Sequence, residues 1–250
     1  MKTPETWIHG INAVLALLKD PHRVVPTVTV VDGSRNPRLH EVVQLARNRQ
    51  ARLRFVDRPS LDRLTGCKEH QGVAAHVLPR PQPQWSDLVE QLPRLPAPLL
   101  LLLDGIEDPH NLGAILRSAA AFGVTAVVQT RDRCAPLTPA AEKAAAGATA
   151  HIDLVRVTNL AQALEELRQM FIPIYGLEGL AETTLSEVDL TSPLALVMGG
   201  ESNGLRRLTR EKCDRLLAIP MAGGVGSLNV SVATGVALYE AFRQRKAGTL

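Results

Sequence analysis

The sequence predicts an α/β protein of two domains, a small N-terminal α/β domain and a larger C-terminal one built on a parallel sheet. Three observations predict it. From residue 99 onward, apolar strand-like runs alternate with helix-like segments, the order that builds a parallel sheet. Leu99 to Leu103 is an unbroken run of leucines, as in a strand buried on both faces. Prolines at 79, 81, 83, 93, 96 and 98 crowd the stretch between the two halves, and proline fixes φ and removes donors. The expected division is therefore 1–78, a proline-rich linker over 79–98, and 99–250.

The elements follow in order. Gly10 to Lys19 reads as a helix and Thr27 to Asp32, rich in β-branched residues, as a strand. A turn over Gly33 to Pro37 leads to a helix from about Arg38 to Arg49, a strand over Arg52 to Val56, a short helix over Ser60 to Leu64 and a third strand over Gly72 to Leu78. Trp85 to Leu92 is a short helix inside the linker. After the leucine run come a helix over Leu112 to Phe122, a strand over Ala126 to Gln129, and Thr138 with Pro139 as the N-cap and first position of another helix. A helix over Leu160 to Met170 and strands over Ile172 to Tyr175, Leu194 to Met198 and Leu216 to Ile219 precede a long helix from about Asn229 to Arg243.

Composition bounds the function classes. A hydrophobic content of 45% with 21% charged residues is that of a globular chain rather than a disordered one. No apolar run approaches the ~20 residues of a membrane span, and Ile11 to Leu18 is too short and too interrupted for a signal peptide. Three cysteines without close spacing fit reduced thiols in the cytoplasm, and no Cys, His or acidic cluster has metal-ligand spacing, so no metal is expected. The net charge of +3 is unevenly spread: residues 1–78 hold 12 of the 28 basic residues but 7 of the 25 acidic ones. A basic small domain beside a near-neutral larger one matches a polyanion-binding module on a catalytic body, and equally a solvated basic surface. Arg35, Arg38, Arg47, Arg49, Arg52 and Arg54 are the candidate RNA contacts. With only 3% aromatic residues, such recognition is expected to rest on phosphates and RNA shape rather than base stacking.

Three loops concentrate polar and glycine residues just after apolar strands. They are Asp104 to Ser118, Met198 to Gly204 and Ile219 to Ala233. The third invites a dinucleotide reading, because glycines lead from a strand into a helix, but Asn229 stands where the last glycine belongs and the loop lies in the last βα unit. Taken together, the three loops resemble the three motifs of the SpoU (TrmH) family of RNA ribose methyltransferases. Asn111 and Arg117 fit the first motif, Glu201 within Gly200-Glu-Ser-Asn-Gly204 the second, and Ser227-Leu-Asn-Val-Ser231 the third. Ile8-His-Gly-Ile-Asn-Ala-Val and His70-Gln-Gly-Val-Ala-Ala-His76 resemble that family's substrate-binding domain, so the likeness covers nearly the whole chain. Gly223-Gly-Val-Gly226 departs from it, standing where serines are more usual.

The resemblance implies a SPOUT-like domain with a C-terminal trefoil knot, a topology that chain-connection rules alone disfavour. It also implies S-adenosylmethionine as cofactor, a homodimer, and a ribosomal-protein-like RNA-binding fold for the N-terminal domain. The most similar members act on guanosine ribose in 23S ribosomal RNA. A transfer RNA ribose methyltransferase and a non-catalytic RNA-binding assembly factor are the competing readings. Four intact polar residues, Asn111, Arg117, Glu201 and Asn229, speak against the latter.

Methyl transfer from a sulfonium to a hydroxyl needs alignment of the oxygen and help for its departing proton. Gly199, Gly200, Ile219, Met221, Ser227 and Leu228 are the expected cofactor contacts, offering small size and backbone polar groups. A guanidinium is a poor base, so Arg117 is expected to anchor phosphate and stabilise the developing alkoxide. The alternative for Arg117 is a surface pair with Glu107 or Asp108. Asn111 and Asn229 would orient ribose or hold the loops, and Glu201 would accept from guanine or ribose or act as an N-terminal helix acid. His110 reads as loop scaffold rather than as a base.

Overall fold

A computed structural model describes residues 6–20, 23–34, 36–78, 82–201, 204–223 and 226–247. The chain falls into two compact units, Met1–Pro81 and Gln82–Leu250.

The first unit runs β1 (Thr6–His9), α1 (Ile11–Lys19), β2 (Thr27–Val31), α2 (Pro37–Asn48), β3 (Arg52–Val56), α3 (Arg58–Thr65) and β4 (Val73–Val77). Its sheet has the order β1-β4-β2-β3, with β3 parallel to β2 and β4 antiparallel to both β1 and β2. Strand β1 was not expected from the sequence; its four residues gain their partner only through β4, some seventy residues later. Helix α2 starts where Asn36 accepts from the Arg38 amide at 3.0 Å with Pro37 in the first turn. Val14, Leu18, Val28, Leu39, Val42 and Val73 form the core between helices and sheet. His70 is fully buried: its Nδ1 accepts from the Gly72 amide at 2.9 Å, so Nε2 carries the proton facing Asp62 Oδ1 at 2.7 Å. That pair fixes the turn into β4.

The second unit runs α4 (Trp85–Gln91), β5 (Leu99–Asp104), α5 (Pro109–Ala121), β6 (Ala126–Thr130), α6 (Pro139–Ala145), β7 (Asp153–Val157), α7 (Leu160–Gln169), β8 (Ile174–Leu177), β9 (Thr183–Thr184), β10 (Leu194–Gly199), α8 (Arg207–Lys212), β11 (Arg215–Ala218) and α9 (Val230–Ala247). The sheet order is β7-β6-β5-β10-β8-β11-β9, and every pairing in it is parallel. The leucine run is buried throughout. Leu99, Leu101 and Leu103 point into a cluster with α5 and α9, while Leu100 and Leu102 join α4 and α7 on the other face. Period-two alternation thus supplies both faces of a central strand from identical side chains.

Boundaries moved where single residues override the pattern. The strand expected over Ile172 to Tyr175 runs Ile174–Leu177 instead, because Pro173 cannot donate to a ladder and serves only as acceptor, its carbonyl taking the Ala195 amide at 2.8 Å. The last helix starts one residue later and ends four residues later than expected, at Ala247. Strands β7 and β9 and helix α8 were not assigned from the sequence. Thr138 does cap α6, accepting from the Ala141 amide at 3.3 Å. Helix α5 lies tightly on α6 at Gly113, where an added Cβ would stand 2.3 Å from the Ala141 carbonyl oxygen and 2.6 Å from Ala144 Cβ.

Candidate active site

Parallel strands release their loops at one edge of the sheet, and the ends of β8, β10 and β11 open there onto a cavity of about 350 Å³. Leu177, Met198, Leu205 and Leu217 make its apolar floor. Gly199 and Gly200 make a wall that tolerates no side chain. A Cβ on Gly199 would sit 2.1 Å from the Gly204 carbonyl carbon, and one on Gly200 would sit 2.5 Å from the Gly105 carbonyl oxygen. Backbone therefore passes backbone at closest approach here, and only glycine fits. Gly200 and Gly204 exchange two amide hydrogen bonds, 3.1 and 2.9 Å, which closes the loop after β10 into a tight turn. The base of that loop is fixed by Asp104 at the end of β5. Its carboxylate is 1% exposed, accepts from the Arg206 amide at 2.8 Å and faces the Arg206 guanidinium at 3.4 Å.

The three polar loops converge at the cavity mouth. Asn111, in the first turn of α5, donates from Nδ2 to Glu201 Oε1. Asn229 donates from Nδ2 to the same Glu201 oxygen at 3.0 Å and to Asn111 Oδ1 at 3.1 Å. Its own Oδ1 accepts from the Ser231 amide at 2.9 Å and the Ser231 hydroxyl at 2.6 Å, so the same side chain caps α9. Residues 118 positions apart are thus tied to one carboxylate.

Of the sequence candidates, Gly199, Gly200, Glu201, Ile219, Met221, Ser227, Leu228 and Asn229 line this cavity, and Asn111 joins it through Glu201. Arg117 does not. Six positions after Asn111, it is turned well around α5, lies exposed, and makes neither hydrogen bond nor ion pair among the described residues. The surface pair with Glu107 or Asp108 is absent among those residues too. His110 is exposed in the first turn of α5, where its amide donates to Asp108. Sequence reasoning missed Leu177, Glu178 and Gly179, which complete the cavity from the end of β8. The rule that parallel strands carry sites at their carboxyl ends points to them, but the sequence pattern sets this strand two residues early. Arg206 was missed as well, having no motif around it.

In the first unit the basic candidates divide. Arg38 is at the start of α2, donates to Asn12 Oδ1 and lines a hollow with Arg58 and Gln71. Arg47, Arg52 and Arg54 lie exposed at the far end of α2 and on the edge strand β3, while Arg49 donates to the Arg23 carbonyl oxygen. Arg35 lies outside the described residues. No cluster of three or more His, Cys, Asp or Glu side chains able to hold a metal occurs among the described residues.

Residues 98–239 match the SpoU rRNA methylase family. The chain belongs to this family. As a SpoU rRNA methylase it carries a second match over residues 7–83, to the RNA 2′-O ribose methyltransferase substrate-binding domain. Among curated relatives of this SpoU methylase, the 23S rRNA (guanosine-2′-O-)-methyltransferase RlmB of Photorhabdus laumondii is 49% identical over 239 residues, 95% of this chain and 98% of that protein. RlmB of Escherichia coli strain K12 is 47% identical over 238 residues, again 95% of this chain and 98% of that protein. Among solved structures, the SpoU methyltransferase AviRb of Streptomyces viridochromogenes, in complex with AdoMet, superposes with a TM-score of 0.76 at 25% identity, covering 98% of this chain and 92% of that one.

Proposed function

We propose that this protein transfers a methyl group from S-adenosylmethionine to the ribose 2′-hydroxyl of a guanosine in 23S ribosomal RNA. The observation that carries the reading is the junction of Asn111, Glu201 and Asn229 at the mouth of a glycine-walled cavity. The RlmB relatives, nearly half identical along almost their whole length, supply the substrate class.

The cavity fits the adenosyl part of the cofactor. It has an apolar floor, about 350 Å³ of space, and a wall kept thin by two glycines whose side-chain positions are taken by passing backbone. Gly199 and Gly200 would hold one side of it, with Ile219, Met221, Ser227 and Leu228 opposite. The cofactor, when bound, supplies an electrophilic methyl group. The protein's task is then to place the ribose oxygen and assist loss of its proton. Glu201 has one oxygen committed to Asn111 and Asn229, which leaves Oε2 free of protein partners among the described residues to accept from the substrate. Arg117, exposed, unpaired among the described residues and turned away from its own chain's cavity, is available for an RNA phosphate and for the developing alkoxide of a ribose held at a second subunit, bonds a guanidinium makes strongly.

Val232, Val236 and Tyr239 form an exposed apolar stripe on α9, at 52%, 40% and 54% exposure, and α9 packs beside α5. A homodimer formed across this stripe would cover it. In the first unit, Arg38, Arg47, Arg52 and Arg54 supply phosphate contacts, so that unit provides RNA affinity and the second provides chemistry. The C-terminal trefoil knot of the family belongs to the same reading. It accords with the close backbone passage at Gly199 and Gly200.

Single-turnover methylation of a 23S RNA transcript at saturating cofactor tests the assignment of Arg117. Arg117→Ala should lower the rate by far more than tenfold while cofactor affinity, read by calorimetric titration, stays near that of wild type. Arg117→Lys should recover part of the rate. A loss below about tenfold, under ~1.4 kcal/mol of barrier, removes Arg117 from the chemistry. Failure to bind S-adenosylmethionine at millimolar concentration would overturn the enzymatic reading altogether.

A further inference from the structure

A second hollow opens at the same carboxyl edge of the sheet, at the ends of β6 and β7. It consists of two contiguous cavities of about 280 and 310 Å³, which share Gln84, Arg131 and Arg156. Arg131 follows the last residue of β6 and is exposed; Arg156 lies within β7, paired in register with Gln129. Neither guanidinium makes an ion pair or hydrogen bond among the described residues, although the Arg131 backbone amide donates to the Val157 carbonyl oxygen at 2.9 Å. The Nε of Arg156 is moreover buried without an acceptor. A buried guanidinium nitrogen left unsatisfied costs free energy, and such groups in native proteins normally have a partner.

No carboxylate among the described residues bonds either guanidinium directly. Among the described residues Glu166 is the one carboxylate that lines it, and its oxygens accept from neutral donors instead, Oε2 from Trp85 Nε1 and Oε1 from Gln162 Nε2 at 3.1 Å. The remaining polar lining consists of neutral donors and acceptors: Gln82, Gln84, Ser86, Thr158 and Asn159. Two guanidinium groups against one carboxylate leave the hollow one positive charge in excess, which complements the singly charged phosphodiester of RNA, since a guanidinium fork matches phosphate geometry.

We propose that this hollow binds a backbone phosphate of the substrate RNA beside the methylated nucleotide, making Arg131 and Arg156 positioning residues for the methylation proposed above, on which the choice of RNA rests. From β10 to β7 is three strand spacings, about 15 Å along the sheet. That is within the span of the RNA strand flanking the reacting ribose. Occupation would supply the acceptor that Arg156 Nε lacks.

The test uses the full chain and an in-vitro transcribed 23S RNA fragment, with filter binding over a range of salt concentrations. Arg131→Ala and Arg156→Gln should each weaken RNA binding on the order of tenfold and lower the slope of log K against log salt by about one. Cofactor affinity should be unchanged, and single-turnover methylation should need correspondingly more RNA to reach its maximal rate. Arg156→Lys should recover part of the binding. Arg94→Ala, which removes a guanidinium paired with Glu90 elsewhere on the unit, should change neither quantity. An unchanged slope in Arg131→Ala, an exposed position where folding is not at stake, would overturn the inference, as would an equal effect of Arg94→Ala. So would stabilisation of the wild type alone by inorganic phosphate with RNA binding unaffected, which would mark a free-anion site. Because the slope is read without cofactor or turnover, it stands or falls separately from methylation: a methylating enzyme with an unchanged slope defeats only the hollow.

Discussion

Asn229 performs two tasks that one pair of substitutions separates. Its Oδ1 caps α9 through Ser231, and its Nδ2 holds Glu201 and Asn111. Asn229→Ala removes both. Loss of the cap costs about 1 kcal/mol, and loss of a hydrogen bond to a carboxylate costs about 1.5–3 kcal/mol. The total of roughly 2.5–4 kcal/mol corresponds to a fall in Tm of about 5–16 °C for a unit of this size. Asn229→Ser keeps a hydroxyl able to cap but has no Nδ2, so it should lose only the second contribution and melt about 2–4 °C above Asn229→Ala. Both variants should lose cofactor-linked methylation, because Glu201 is then held by Asn111 alone and no longer bridged to the third loop. Scanning calorimetry and single-turnover methylation read the two outcomes. If serine and alanine melt within a degree of each other, Asn229 is no cap. If Asn229→Ser keeps wild-type activity, the bridge to Glu201 does not organise the site.

Other outcomes follow from particular contacts. Gly113→Ala should cost about 1–3 kcal/mol or more by forcing α5 off α6, whereas Gly235→Ala in α9, whose Cβ would meet only Ser118 Oγ at 3.6 Å, should be neutral or slightly stabilising; thermal melts decide both. Burial pushes the Cys213 thiol up to about 12, reinforced by Asp214 and Asp104, and burial raises Cys134 too. A raised thiol pKa means less thiolate, so at pH 8 iodoacetamide should modify both far more slowly in the folded protein than in urea; mass spectrometry showing equal rates for Cys213 would refute its burial. Replacing Arg47 and Arg52 together by alanine should lower the salt slope of RNA binding by about two and leave cofactor affinity unchanged; an unchanged slope would remove that end of the first unit from the RNA path.

Much of this was legible in the residues because the pattern and the physics coincide. Five consecutive leucines admit few structures other than a doubly covered strand, and Thr138 with Pro139 announces a helix start from local chemistry alone. Likewise, three polar loops after apolar strands converge because parallel strands place their loops at one edge. What stayed hidden depends on long-range pairing. β1 is a strand by virtue of β4, and β9 has two residues whose partner is β11. Arg206 matters through Asp104, a hundred residues earlier in the chain, and nothing adjacent marks it. Arg117 illustrates the reverse case. Motif spacing placed it with Asn111, but six residues on a helix rotate a side chain away from its neighbour's face.

The adjacency of β5 and β10 has a consequence for synthesis. Their ladder is the middle of the sheet, yet Leu194 follows Asp104 by some ninety residues. At a translation rate of about 5–20 residues per second, the leucine strand leaves the ribosome roughly 5–18 s before the strand that covers its open edge exists. During that interval an edge of five leucines is presented to the cell, bordered only by β6, and such an edge invites pairing with other chains. Overproduction at lower temperature or with a holding chaperone should therefore raise the soluble yield more than any stabilising substitution in the finished fold.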